Sequence, residues 1–187
     1  MIYFVWPVLL ILLYSFQTTW FEMSRGLIVA PDLLLLFVIY FAMKKKLEQS
    51  ILVGVLVGVF RDVLILSFFG YYTLTYFLVT VILGSLRDTM YKSTFIPYLV
   101  LVIIVTLFTK GIYFLLMLFS IQGQISLLGA TFSQFPIAII LNLLFAIPCY
   151  WLYTIIDKII DKYREPKGDN YEKISLKKSK MKKSDYQ

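Results

Sequence analysis

Histidine is absent from the 187-residue sequence, and Cys149 is the single cysteine. These absences argue against histidine-based acid–base catalysis, serine or cysteine triads and most transition-metal sites, since each of these depends on histidine, cysteine or both. A disulfide framework within one chain is excluded, because a lone cysteine has no partner. Cys149 lies beside Pro148 in an apolar segment and is interpreted as a packing residue. Neither a cofactor nor a bound metal is expected.

Charged residues are also scarce, and they are unevenly placed. They make up 16% of the chain, whereas soluble domains carry about 25%. Hydrophobic residues make up 60%, and the mean hydropathy is +0.82. This composition indicates an all-α integral membrane protein. Ten of the eighteen Lys and Arg residues lie after residue 156. Because this basic segment follows an apolar one, it is interpreted as an anchor near anionic lipid, and no nucleic-acid partner is expected.

Hydrophobic runs predict a bundle of six membrane-spanning helices. The predicted spans are residues 2–20, 27–43, 51–69, 71–86, 97–121 and 132–156. The first run lacks the basic start and the small-residue cleavage site of a signal peptide, so it is expected to remain in the mature protein. Residues 1–163 are therefore predicted to form one transmembrane domain. Residues 164–187 are polar and rich in lysine, and they are predicted to form a disordered cytoplasmic tail.

Several local signals set expected boundaries. The second helix is expected to begin at Pro31, since proline suits the first helical position and Asp32 suits the positive end of the helix dipole. Gly70 and Tyr71 are predicted to form a tight turn before the fourth span. The uncharged residues 122–130 are predicted to be a loop. The sixth helix is expected to continue past the membrane surface for a turn or two.

The distribution of basic residues predicts the topology. The three connections that would lie on one side hold a single basic residue, Arg25. The connections on the other side hold Lys44, Lys45 and Lys46, further basic residues and the basic tail. Positive residues remain on the cytoplasmic side of membrane proteins. Both termini are therefore predicted to be cytoplasmic, with the three consecutive lysines as a membrane anchor.

The third span contains Gly54, Gly58 and Asp62, which are four residues apart and so share one face of a helix. Two glycines on one face let another helix approach closely. That helix could belong to the same bundle or to another chain, and the sequence leaves both open. The third helix is predicted to be the central packing helix of the bundle.

Four ionisable side chains are predicted to lie at a similar depth: Asp32, Arg61, Asp62 and Lys110. Unpaired charges within a membrane are costly, so pairing is expected. The hypothesis is that Asp62 pairs with Lys110 or with Arg61 and that Asp32 lies nearby. Such a cluster either locks the fold or lines a polar cavity open to the outside. Asn142, near the middle of the sixth span, is expected to link helices through a hydrogen bond.

Two short motifs carry a family resemblance. Ala30-Pro31-Asp32 is followed by an apolar run, Tyr40 and basic residues; Gly54-xxx-Gly58-xx-Arg61-Asp62 is followed by Phe69-Gly70-Tyr71-Tyr72. With the chain length, six spans and charge distribution, this pattern resembles the bacterial rod shape-determining protein MreD family. Arg61, where many members have glutamine, and the long lysine-rich tail depart from the family pattern.

The resemblance implies a non-enzymatic role in lateral peptidoglycan synthesis at the bacterial cytoplasmic membrane. It implies the single-span protein MreC as a partner, within a wider assembly of MreB, RodA and a transpeptidase. It also implies a fold similar to the substrate-binding subunits of energy-coupling-factor vitamin transporters.

The alternative function is that of a substrate-binding subunit of a small-molecule transporter. Those subunits carry a small-xxx-small motif in the first helix, whereas the first span of this chain has neither Gly nor Ala. An intramembrane enzyme is the least favoured class: a rhomboid-type protease requires histidine, and an aspartyl protease would require Asp32 and Asp62 to lie together.

Overall fold

The computed structural model describes residues 5–23, 29–65, 70–90, 95–120 and 125–164. These residues form six α-helices and no β-strand within the described ranges. The helices are α1 (Val5–Met23), α2 (Leu33–Lys44), α3 (Leu47–Ile65), α4 (Tyr71–Met90), α5 (Ile96–Ser120) and α6 (Ile125–Arg164). The prediction of an all-helical fold with six helices is confirmed. The predicted tail lies outside the described residues from residue 165 onward.

The chain divides into two compact units, one comprising Tyr3–Tyr153 and the other Thr154–Gln187. All helices except the end of α6 lie in the first unit, which also contains the candidate site described below. In the second unit the described residues continue α6 to Arg164. This continuation agrees with the prediction that the sixth helix extends beyond its apolar run.

The starts of α2 and α6 differ from the sequence prediction. α2 begins at Leu33 and not at Pro31, because the side chain of Asp32 bonds the backbone of Leu35 and so makes Asp32 the N-cap residue. α6 begins at Ile125, inside the stretch predicted to be a loop. Residues 125–130 are mostly apolar, and one glycine among them does not stop a helix.

Two helices are long and apolar enough to cross a membrane, by length and composition: Ile96–Leu118 and Phe132–Ile160. Only 28% and 22% of their most apolar windows are buried within the protein. In a soluble protein, core helices of this hydropathy would be mostly covered. The large outward-facing apolar surface therefore favours a lipid environment.

α2, and not α3, is the central helix. Residues 33–42 are all buried, and a helix that is apolar on every side is suited to complete enclosure. Trp6 of α1 packs edge-on against Phe41, with ring centroids 4.7 Å apart. The hydroxyls of Tyr98 in α5 and Tyr153 in α6 each donate to a backbone carbonyl of α2 over 3.4 Å. The prediction that α3 is central is therefore wrong.

α3 instead buries one face against α4. Its buried residues recur at helical spacing: Ser50, Gly54, Val57, Gly58, Arg61 and Asp62. Leu52, Leu56 and Val63 on its other side are exposed. α3 therefore lies at the periphery of the bundle: one face, which contains both glycines, is packed, and the opposite apolar face is exposed.

Both glycines of α3 are sites of close helix approach. A Cβ added at Gly58 would lie 2.5 Å from the backbone Cα of Thr73, and one added at Gly54 would lie 2.6 Å from Cγ2 of Thr80. Both neighbours belong to α4. The structure thus assigns this face to packing within the chain, and the alternative of a face open to another chain does not hold for Gly54 and Gly58.

Candidate functional site

The amino terminus of α2 is held by side chains from two other helices. Asp32 Oδ1 accepts a hydrogen bond from the backbone N–H of Leu35 over 3.0 Å, which is a helix N-cap. Gln17 Oε1, from α1, accepts from the N–H of Leu33 over 3.2 Å. Asn142 Oδ1, from α6, accepts from the N–H of Asp32 over 2.7 Å. Backbone donors left unpaired at a helix start are thereby satisfied inside the protein.

Asn142 also reaches α5. Its side-chain amide donates to the hydroxyl of Thr106 over 3.0 Å. One buried amide therefore joins α2, α5 and α6, which agrees with the sequence-based expectation that Asn142 links helices. Within a membrane, hydrogen bonds between helices contribute to their association, because lipid tails are as apolar as the helix surfaces and no hydrophobic force draws the helices together.

Asp32 forms an ion pair with Arg61. Tyr76 lies between them: its hydroxyl accepts from Arg61 and donates to Asp32 Oδ1, the latter over 3.2 Å. The guanidinium of Arg61 also lies over the ring of Tyr72, with Cζ 4.0 Å from the centroid. The Arg61 side chain is 7% exposed and that of Asp32 is 17% exposed. The pair thus connects α2, α3 and α4 in a largely desolvated position.

Asp62 points away from its neighbour Arg61 and bonds the start of α4. Its Oδ1 accepts from the N–H of Tyr72 over 3.0 Å, and its Oδ2 accepts from the N–H of Thr73 over 2.9 Å and from its hydroxyl over 2.6 Å. A carboxylate at a helix amino terminus satisfies unpaired donors and complements the helix dipole. Asp62 therefore caps α4 from a different helix.

These contacts correct the predicted pairing. Asp62 was expected to pair with Lys110 or Arg61, but Arg61 pairs with Asp32 and Asp62 bonds α4. Consecutive residues on a helix point about 100° apart, so residues 61 and 62 reach different neighbours at the same depth. Among the residues that the structure describes, Lys110 has no salt-bridge partner.

Gly70 lies in a turn immediately before α4 and has a φ of 91°, a conformation that favours glycine. Tyr71 is the first residue of α4 and is buried, and its hydroxyl donates to the backbone carbonyl of Thr109 over 2.7 Å. The turn therefore directs the chain from α3 into α4 and fixes α4 against α5.

The three consecutive lysines lie at the opposite end of α2 from Asp32. Lys44 is its last residue, and Lys45 is its C-cap. Lys44 and Lys46 are exposed. Cations at the carboxyl end of a helix complement its dipole, and this position also suits an anchor at a membrane surface.

A cavity of about 510 Å³ opens beside the Asp32–Arg61 pair. This volume is within the range of small-molecule pockets, about 300–1,000 Å³. The cavity brings together three of the four ionisable residues singled out in the sequence: Asp32, Arg61 and Lys110. Its other lining residues are Tyr14, Gln17, Thr18, Ala30, Ile65, Tyr71, Tyr72, Tyr76, Thr109, Tyr113 and Gln134.

Sequence reasoning missed three participants: Gln17, Thr73 and Tyr76. Gln17 had a usable signal, because it is a lone amide in an apolar helix and such a group needs a partner. Thr73 and Tyr76 had a weaker one: they lie in the first turns of the helix that follows Gly70, where unpaired backbone donors attract a carboxylate.

Comparison with protein families identifies one match. The family model described as rod shape-determining protein MreD matches residues 1–159 of the chain. Neither the curated proteins nor the solved structures yield a match. The family match covers both sequence motifs, the whole of α1 to α5 and most of α6. The chain therefore belongs to the MreD family of rod shape-determining membrane proteins.

Proposed function

We propose that this chain is a non-enzymatic membrane subunit of the bacterial cell-shape machinery that binds a single-span MreC-type partner and supports lateral peptidoglycan synthesis. The observation that carries the proposal is the family match over residues 1–159. Membership implies a role in rod shape determination. The partner and the link to peptidoglycan are the additional steps proposed here, together with participation in a wider assembly containing MreB, RodA and a transpeptidase.

The geometry of the acidic residues supports a structural role for them. General acid–base or nucleophilic catalysis needs a group that is free to reach the substrate. Asp62 has both carboxylate oxygens engaged by the start of α4, and Asp32 bonds Arg61, Tyr76 and the backbone of Leu35. These carboxylates join helices, which is the function expected of a rigid assembly subunit.

The proposed topology has six membrane spans with both termini in the cytoplasm. The three lysines at the end of α2 then lie at the cytoplasmic surface, and the basic tail lies on the same side near anionic lipid. The cavity beside Asp32 lies at the other end of α2 and so faces the outside.

Partner binding is proposed to occur through the apolar outer faces of the helices. The sequence left open whether Gly54 and Gly58 contact a helix of the same bundle or a partner helix, but α4 covers both glycines. The outer side of α3 presents Leu52, Leu56 and Val63 instead. A partner helix on such a surface gains van der Waals contact in place of lipid.

The test is to deplete the protein of this family in a rod-shaped bacterium and then to complement the loss by expressing the present chain. Wild-type protein is expected to restore rod shape and to retain an MreC-type protein in a membrane pull-down. Photo-crosslinkers placed singly at exposed positions on α3, α4, α5 and α6 are then expected to capture that partner from one helix face. Normal rods after depletion would contradict the shape role. Restored rods without partner capture at any position would contradict the binding mode.

A transport subunit is the second candidate function, and the cavity is the observation that favours it. Against it, α1 contains neither Gly nor Ala, so it lacks the small-xxx-small motif of vitamin-transporter subunits. Unchanged cell shape on depletion, with loss of uptake of one vitamin, would support transport over the assembly role.

A further inference from the structure

The cavity beside Asp32 and Arg61 has an uncompensated positive charge. Among the residues that the structure describes, three acidic or basic side chains line it: Asp32, Arg61 and Lys110. Asp32 and Arg61 neutralise one another as an ion pair. Lys110 has no salt-bridge partner in the described part of the chain. The described lining residues therefore carry a net charge of +1 when all three side chains are ionised.

A lone ammonium group at this depth is costly unless something offsets it. Lys110 lies midway along α5, whose apolar segment Ile96–Leu118 is long enough to cross a membrane. Cations within membrane segments almost always pair or contact water. Asp32 is already engaged by Arg61, Tyr76 and Leu35, so it is a poor second partner for Lys110. An anion within the cavity would supply the missing counter-charge.

The cavity also offers neutral donors. The side chains of Tyr14 and Gln134 line it and form no hydrogen bond with any described residue. Hydroxyl and amide hydrogens complement the several lone pairs of an oxyanion. The cavity volume of about 510 Å³ exceeds that of an inorganic ion, and the tyrosine rings provide apolar walls for an organic portion.

We propose that this cavity binds an organic molecule through one singly charged oxyanion group, with Lys110 as its counter-ion. We expect the bound group to carry one negative charge, because the described lining residues have one excess positive charge and the Asp32 carboxylate would repel a second negative charge. The group can come from the phosphodiester of an anionic lipid head or from a small soluble phosphodiester. This site is independent of the proposed partner, because none of its groups is required for binding on the outer helix faces.

The test measures ligand binding to the full-length purified protein in dodecyl maltoside micelles. Native mass spectrometry would compare phosphatidylglycerol with diacylglycerol of the same acyl chains. A second arm would use glycerophosphoglycerol, the soluble headgroup with its phosphodiester. If phosphatidylglycerol binds in a Lys110-dependent way and glycerophosphoglycerol does not, the ligand is a lipid. If glycerophosphoglycerol also binds in a Lys110-dependent way, the ligand is a soluble phosphodiester. Both support the site. Binding of neither probe, or equal binding of diacylglycerol, would overturn it.

Substitutions of Lys110 give the decisive comparison. Lys110→Gln is expected to weaken phosphodiester binding by about tenfold or more, because a charge-assisted hydrogen bond is lost. Lys110→Arg keeps the charge and is expected to retain binding within a few-fold. Lys46→Gln removes the same charge from an exposed position at the other end of α2, outside the cavity, and should bind glycerophosphoglycerol as the wild type does.

A further variant covers the case in which Lys110→Gln fails to fold. Ala30→Leu adds volume to the cavity wall without changing charge and is also expected to reduce binding. Unchanged binding in whichever of the two variants is folded would overturn the proposal. The result does not depend on cell shape, so it is separable from the outcome of the depletion experiment.

Discussion

Among single residues, Asp32 has two separable roles: it caps α2 and it neutralises Arg61. Asp32→Asn separates them, because asparagine is also a good N-cap residue but carries no charge. It leaves a guanidinium that is 7% exposed without a counter-ion. Breaking a buried pair on one side costs about 3–5 kcal/mol, so we expect Asp32→Asn to lower the free energy of unfolding by that amount. Chemical unfolding in detergent would measure it.

The matched control replaces both members of the pair. In Asp32→Asn combined with Arg61→Leu, no buried charge is left uncompensated, and we expect a large part of the lost stability to return. If the double variant is less stable than Asp32→Asn alone, the ion pair is not the reason for the loss. The hydrogen bonds of the Arg61 guanidinium would then be the dominant contribution.

At the scale of helices, the close approach of α3 and α4 depends on glycine. A Cβ at position 58 would meet the backbone of Thr73 at 2.5 Å and 2.8 Å, and backbone cannot move aside as a side chain can. We expect Gly58→Ala to destabilise the protein by about 1–3 kcal/mol, as overpacking does. At Gly54 the nearest atom belongs to the side chain of Thr80, so Gly54→Ala should cost less.

Gly111→Ala is the control for this series. Nothing lies within 4 Å of a Cβ added at Gly111, and alanine is favoured over glycine within a helix. Its stability is therefore expected to equal or exceed that of the wild type in the same thermal unfolding measurement. Equal losses for Gly58→Ala and Gly111→Ala would show that the α3–α4 contact is not the sensitive feature.

The cap that Asp62 provides to α4 gives a prediction at the same scale. Asp62→Ala leaves the backbone N–H groups of Tyr72 and Thr73 without their acceptor, and loss of a cap costs about 1–2 kcal/mol. Since Lys110 is not a partner of Asp62, the losses in Asp62→Ala and Lys110→Met should add within about 0.5 kcal/mol in a double-mutant cycle. A larger coupling energy would restore the pairing expected from the sequence.

The comparison of sequence with structure shows which features a linear pattern determines. Hydrophobic runs bounded by charges predicted all six helices, and Gly70 marked the turn, because both signals are local. The pairing of Asp62 and the central position of α2 were not predicted correctly. Distance along a helix gives the depth of a residue, but the neighbour that it faces depends on how the helices are arranged, which no local signal specifies.

For the whole molecule, the proposed topology predicts which helix ends are accessible to reagents from each side of the membrane. Gly129, in the first turns of α6, and Lys46, between α2 and α3, are both exposed, and they are proposed to face opposite sides of the membrane. In a Cys149→Ala background, Gly129→Cys should react with a membrane-impermeant maleimide in right-side-out spheroplasts, whereas Lys46→Cys should react only after lysis. The reason is the concentration of lysines around position 46, which favours the cytoplasmic side. Reaction of Lys46→Cys in unlysed spheroplasts would reverse the orientation and would place the cavity on the cytoplasmic side.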